Sequence, residues 1–431
     1  MVMNKYFNVS KSTVSNMIKK LVVMDLIDTK PYKPILLTKS GKEKASEIIH
    51  KHRLIELYLV EKMNFELSET QSILKDSVER FVAENYSLDK RQSIARSELG
   101  FSQDNWKKMA ELGWLSITVP ESAGGFGGNQ IDSMIMMEEF GKGLVLEPFF
   151  ISSVVAGQIL CELSNEEQKQ NWLPRLISGD YQLTFAYAEE QSRFDLEDVL
   201  TRAKPDEEGG FIIDGTKSMV LHAASADAMI VSCRTSGGQY EKNGISLFLV
   251  PKDLQGIHID SFETVDGQRA AEVRFESVRV DMNALLGEEG NAFSTIKRAQ
   301  QSGILALCAE ATGIMESLYK DTASYTQDRE QFDRPMSEFQ VIQHRLVDMF
   351  MEYEQCKSML LRATLEFVHN SDESSRSIHA LKYMVGKTAK FIGENAIQLH
   401  GGMGMTEEPV SYTHLRAHET LRYLVCRLLL E

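Results

Sequence analysis

The sequence predicts an α+β protein in three parts: a helical domain over 67–180, a small β-domain over 181–283 and a second helical domain over 284–410. Three observations predict this order. Apolar residues recur at helical spacing from Leu67 onward. Near residue 181 the pattern changes to short β-branched or aromatic runs separated by Gly, Asp or Pro. From about residue 290 the helical period returns and persists to about 400. A length of 431 residues suits about three domains, each able to bury its own core.

Each element has a local reason. In LSETQSILKDSVERFVAEN the apolar residues Leu67, Leu74, Val78, Phe81 and Val82 form one stripe, and Ser68 with Gln71 makes a capping box. VPESAGGFGG interrupts the helices as a glycine-rich loop. DSMIMMEEFGKGL is helical again, its methionines filling core. YQLTFAYA, GFIIDGTKSMVLH, DAMIVSCR, GISLFLVP and AAEVRFESVRV are the expected strands.

With 43% hydrophobic and 25% charged residues, the composition excludes wholesale disorder. No apolar run is long enough for a membrane helix, and MVMNKYFNVSKS carries no secretory core, so a cytoplasmic protein without membrane contact is expected. Cys161, Cys233, Cys308, Cys356 and Cys426 are widely spaced with no CxxC, which disfavours structural zinc and a disulfide framework. The net charge of -15 is uneven: residues 1–66 carry 12 Lys+Arg against 7 Asp+Glu, +5, which leaves -20 for the remainder.

In the basic head, SKSTVSNMIKKL reads as a short helix with Val14, Ile18 and Leu21 on one face. LIDTKPYKPILLTKSG follows as two extended runs around a Lys/Pro-rich tip, the form of a β-wing beside a recognition helix. STVSNMIKKL, LLTKSGKEKA and KHRLIELYLV together resemble the winged helix of the iron- and manganese-dependent repressors, over about 65 residues. His52 matches a metal ligand of that family, but no partner ligands accompany it, so no metal site is expected. The first helix of the winged fold is also absent. A truncated remnant, or a join of two reading frames, therefore stands beside a working DNA-binding domain as a reading of 1–66, and DNA is a partner only in the second case. At the other end, SYTHLRAHETLRYLVCRLLLE over 411–431 resembles a recurring read-through tail and is expected to be non-native.

The body carries several motifs in order: LSETQ, VPESAGGFGG, AAEVRFESVRV, DREQFDRPMSEFQVIQHRLVDM and AIQLHGGMGMTEE. Together they resemble the acyl-CoA dehydrogenase family over about residues 67–411. EEFGKGLVLEPF, FAYAEEQSRFDLEDV, SMVLHAASAD and LCAEATG are most similar to the small subunits of a heteromeric branch acting on dicarboxylic and related acyl-CoAs, pimeloyl-CoA among them. The resemblance implies FAD as cofactor, an acyl-CoA substrate, electron-transferring flavoprotein as electron acceptor, and a homo- or hetero-oligomer, the latter with a large subunit. In the family a glutamate removes the α-proton of the thioester, the β-hydrogen leaves as hydride to the flavin, and hydrogen bonds to the thioester carbonyl stabilise the developing charge.

Family members share each FAD between two subunits, and the resemblance assigns residues to both halves. The donated half comprises Arg329, Phe332, Gln340, Gln398, Gly401 and Gly402. Arginine suits the neighbour's pyrophosphate because its guanidinium is always charged and forked. The chain's own flavin half comprises Tyr187, Ala188 and Leu221, and here it departs from the pattern. Ala188 and Leu221 stand where hydroxyl residues contact the flavin, Met219 replaces a covering Trp, and Arg193 and Phe194 replace a small Gly-Ser pair that gives room for the pantetheine arm. Ile304 stands in place of a substrate-contacting arginine. The family's C-terminal base segment is absent. The alternative base position of a minority of members aligns with Gly303, and Glu310, two turns further on, is a weak candidate. Three functions are therefore open: a catalytic subunit, a non-catalytic subunit donating half of the FAD site, and a DNA-binding regulator.

Overall fold

A computed structural model describes residues 67–405 together with two short strands, β1 (Ile27–Asp28) and β2 (Leu36–Leu37), which pair antiparallel. That pair sits where the wing is expected. The recognition helix, His52 and the 411–431 tail lie outside the described residues.

The first helical part comprises α1 (Glu69–Asn85), α2 (Leu88–Ala95), α3 (Gln103–Glu111), α4 (Gln130–Gly143), a π-helical turn at Phe150–Ala156 that runs on into α5 (Gly157–Leu163), and α6 (Glu166–Ile177). As the spacing predicts, Ser68 caps α1: its Oγ accepts from Gln71 N at 3.2 Å while Gln71 Oε1 accepts from Ser68 N at 3.1 Å. Met134, Met136 and Met137 of α4 are buried core. The same helix buries Glu138 and Glu139, and each finds a cation at 2.8 Å, Lys357 and Lys142 respectively.

The β-domain holds β3 (Leu183–Ala186), β4 (Arg202–Pro205), β5 (Phe211–Leu221), β6 (Ala228–Arg234), β7 (Ile245–Pro251), β8 (Ile257–Glu263), β9 (Arg269–Val280) and β10 (Leu285–Leu286) in one sheet, ordered β10-β7-β6-β4-β5-β9-β8, with β3 added parallel to β6. The sequence reading missed β4, β8 and β10. β4 and β8 expose most of their residues, so they lack the apolar signature of the others.

The C-terminal part consists of α7 (Phe293–Asp328), a hairpin of β11 (Glu330–Gln331) and β12 (Arg334–Pro335), α8 (Gln340–Val368) and α9 (Ser374–His400). α7 crosses α4 at backbone contact. A Cβ on Gly313 would lie 1.9 Å from Glu138 O, and one on Gly141 would lie 2.0 Å from Glu310 O. Two reciprocal glycines thus set the closest approach between the helical domains. One core unites α1, α4, α7, α8 and α9. A second joins the π-helical turn, α5 and α6 to β3 and β7, and this packing places helices against the face of the sheet where a cavity opens.

Candidate active site

The cavity has a volume of about 630 Å³ and lies between the sheet, the π-helical turn and the start of α7. Its walls are mostly apolar: Phe150, Ile151 and Val155 from the π-helical turn, Phe185 and Tyr187 from β3 and its extension, and Ile296, Ala299 and Gly303 from α7. The Phe185 and Tyr187 rings stack with centroids 5.0 Å apart.

Two irregular backbone segments shape its rim. In β5 the pairing with β9 slips between Lys217↔Val273 and Val220↔Ala271, so Ser218 and Met219 on β5 oppose Glu272 alone on β9. This bulge puts Met219 at φ 52 and leaves Ser218, Met219 and Leu221 all facing the cavity, which regular alternation forbids. Ser218 N donates to Ala188 O at 2.8 Å and ties the bulge to the second segment, 187–195.

That segment is anchored from beneath by Lys217, whose side chain is fully buried. Its Nζ donates to Glu189 Oε1 at 2.7 Å, Ser232 Oγ at 3.0 Å and Tyr187 O at 3.3 Å. Glu189 also accepts from the backbone N–H groups of Leu200 at 2.8 Å and Thr201 at 3.1 Å. Burial alone would raise the Glu189 pKa, but the Lys217 charge and these hydrogen bonds outweigh it and hold the carboxyl below its ordinary value. Glu189 is thus an anchoring anion, already engaged on both oxygens.

Of the residues expected to hold the cofactor, Tyr187, Ala188 and Leu221 come together in this cavity. The other six line no part of it. Arg329 follows α7 and is exposed; Phe332, at the tip of the β11–β12 hairpin, is 85% exposed; Gln340 opens α8 half-buried; Gln398, Gly401 and Gly402 are exposed at the end of α9. Tyr325, one turn before Arg329, stacks on His400 at 4.3 Å, which joins the ends of α7 and α9 and brings Arg329 and Gly401 to one end of the bundle. Backbone strain marks both halves. Among the described residues eight non-glycine residues have positive φ; of these, Arg193 and Met219 line the cavity, His222 follows directly on β5, and Phe332 and Asp333 form the hairpin tip.

Gly303 lines the cavity and Ile304 does not; Ile304 is fully buried in the helical core. Glu310 also lies elsewhere, in a pocket of about 30 Å³ shared with Arg91, Glu147, His222, Asp266 and Gln268. Burial, reinforced by the nearby Asp266 charge and opposed by Arg91, pushes the Glu310 carboxyl up to about 8. Burial likewise drives His222 down to about 4. This cluster and the Lys217–Glu189 pair escaped sequence reasoning. For Lys217 a signal existed: Phe211, Ile213 and Lys217 share the inward parity of β5.

A flat aromatic group fits the cavity's volume and apolar walls. Ala188 and Leu221 offer it no side-chain hydroxyl. A helical domain, a β-domain and a helical domain around such a cleft define a flavoprotein dehydrogenase architecture. Family models agree, matching the acyl-CoA dehydrogenase N-terminal domain at residues 68–180, the middle domain at 184–278 and the C-terminal domain at 293–424. The chain belongs to the acyl-CoA dehydrogenase family. It is 31% identical to the probable acyl-CoA dehydrogenase YngJ of Bacillus subtilis over 351 residues, 80% of this chain and 91% of that protein. Among solved structures it is similar to an acyl-CoA dehydrogenase from Geobacillus kaustophilus, with TM-score 0.78, 26% identity, and 83% and 95% of the two chains covered. It is also similar to an FAD complex of PigA, with TM-score 0.77, 26% identity, and 83% and 94% covered. Among the described residues no helix is long and apolar enough to cross a membrane.

Proposed function

We propose that the chain is a subunit of an FAD-dependent acyl-CoA dehydrogenase that oxidises the Cα–Cβ bond of an acyl-CoA thioester to a trans-2-enoyl-CoA. One observation carries this reading: the residues expected to form the two halves of an FAD site do not meet within one chain. Tyr187, Ala188 and Leu221 line the cavity, while Arg329, Gln398 and Gly401 sit exposed at one end of the helical bundle. A second chain is needed to close each site, so the protein acts as an oligomer.

Bound FAD would supply the hydride acceptor. The chain's own part is to hold and shield: Phe150, Ile151 and Val155 keep water from the reacting carbons, and excluded water strengthens every charge interaction inside. The Lys217–Glu189 pair fixes the 187–195 segment that forms the rim. Electrons would leave through electron-transferring flavoprotein. The finer substrate reading is a dicarboxylyl-CoA such as pimeloyl-CoA.

A specific observation favours a second reading, in which this chain is the non-catalytic small subunit. The α7 position for a base is Gly303, and Glu189 is committed to Lys217. The other cavity carboxylates, Glu190 and Glu272, are exposed at the rim. Co-expression with a large subunit, FAD counted per chain, and dye-coupled assay with butyryl-CoA and pimeloyl-CoA test both readings. One flavin per chain with turnover supports a catalytic subunit. One flavin per pair supports the donor. No flavin in any combination removes both. The DNA-binding reading of residues 1–66 is tested by a salt-dependent gel shift, and no shift at low salt ends it.

A further inference from the structure

Arg193 is the only positively charged side chain lining the cavity among the described residues, and it stands at φ 47, a left-handed conformation that L-residues with a side chain rarely adopt. The surroundings hold it there. Glu189 N donates to Ser192 Oγ at 3.1 Å, Ser192 Oγ donates to Glu189 O at 2.9 Å, and Asp195 N donates to Ser192 O at 2.8 Å, closing a tight turn around Arg193. That turn rests on Glu189, which Lys217 pins at 2.7 Å. The Arg193 side chain is exposed at the rim and makes no ion pair or hydrogen bond to a described residue, although the carboxylates Glu190 and Glu272 line the same cavity. On a chain of net charge -15 with two acids at this rim, an arginine is the one point there that attracts an anion.

We infer that Arg193 is a binding residue for a phosphate group of a nucleotide ligand at the cavity mouth, reached from the chain's own side and separate from the contact Arg329 offers a neighbour. The inference rests on the proposed function, because both ligands of that function, FAD and an acyl-CoA, carry a diphosphate. A strained backbone position is retained where the surrounding structure over-determines it, and such positions cluster at ligand clamps. Here the strain presents a forked, permanently charged donor set to the entrance. Lysine offers charge without the fork, and glycine offers the backbone conformation without the charge.

The test uses the full chain co-expressed with a large subunit, comparing Arg193→Ala, Arg193→Lys and Arg193→Gly with the parent. Titration calorimetry measures FAD against riboflavin, and butyryl-CoA against butyryl-pantetheine, at two salt concentrations. Loss of the guanidinium should weaken one phosphate-bearing ligand about tenfold while its phosphate-free counterpart is unchanged. Weakening confined to FAD identifies the cofactor's diphosphate, and weakening confined to butyryl-CoA identifies the substrate's. Arg193→Lys should recover part of the loss. Arg193→Gly, which relieves the backbone strain, should lose affinity as Arg193→Ala does. All four ligands within twofold of the parent in every variant would overturn the inference and leave the proposed function standing. A parent that takes up neither FAD nor acyl-CoA would overturn both.

Discussion

Lys217 Nζ lies 2.7 Å from Glu189 Oε1, and both side chains are buried beneath the cavity rim. Removing one member of a buried pair strands the other charge, so Lys217→Met should destabilise the protein by about 3–5 kcal/mol in urea denaturation. Lys217→Met with Glu189→Gln should recover part of that loss, because no uncompensated charge remains. A double variant as unstable as the single one would show that packing, and not charge pairing, holds the segment.

The α4–α7 crossing gives a second expectation. A methyl group at Gly313 would meet Glu138 O at 1.9 Å, and backbone cannot rotate away as a side chain can. Gly313→Ala should therefore cost about 1–3 kcal/mol, the range of overpacking in a close-packed core. Gly386→Ala, where an added Cβ meets nothing within 4 Å, should be neutral or slightly stabilising within helix α9. Thermal denaturation of the two variants side by side decides it.

Glu310 makes stability depend on pH in a defined direction. Its folded carboxyl, near 8, binds a proton that the unfolded chain releases near 4.5. The folded state therefore holds more protons throughout that interval. The contribution is complete below pH 4.5 and is lost as pH rises towards 8. Glu310→Gln should flatten this slope and gain at least about 1 kcal/mol over the parent at pH 8.5. An unchanged slope between pH 5 and 8 would mean that Glu310 is ionised in the native state.

Gly303 lines the cavity at the helix position proposed above for a base. A Cβ there would touch Val155 Cγ2 at 3.5 Å and Phe150 Cε2 at 3.6 Å, ordinary contact distances. Gly303→Glu should fold with little loss and place a carboxylate at the cavity wall. In an FAD-loaded complex it should raise dye-coupled oxidation of butyryl-CoA at least about tenfold if this chain's cavity holds substrate. No increase, with FAD content unchanged, would favour the donor-subunit reading.

Arg329 is exposed, so Arg329→Ala should leave the melting temperature unchanged. It should weaken FAD retention about tenfold, read as the ratio of flavin to protein absorbance after gel filtration. The loss should appear only in the oligomer, since the phosphate it is proposed to meet belongs to the neighbour's site.

Much of this was legible in order along the chain. The Ser68–Gln71 cap, the α4 methionines and the principal strands are local consequences of spacing and side-chain type. β4 and β8 were not legible, because a mostly exposed strand has no apolar alternation to read. The segments proposed to donate to a neighbour's cofactor, around Arg329, Phe332 and Gly401, stood out because each is contiguous in the chain. The polar cluster of Arg91, His222, Asp266 and Glu310 was not, since its members come from four distant stretches.

By itself the sequence determined the element types, their helix–strand–helix order and the family motifs, because hydrophobic period and turn chemistry act within a few residues. Only the tertiary structure decided which residues share a cavity. It turned Lys217 from a strand lysine into a buried anchor, made room for Met219 through a bulge against β9, and held Arg193 at φ 47 over the rim. It also separated Tyr187, Ala188 and Leu221 from Arg329. Those outcomes depend on pairing and burial between residues far apart in the chain, where no local pattern carries the information.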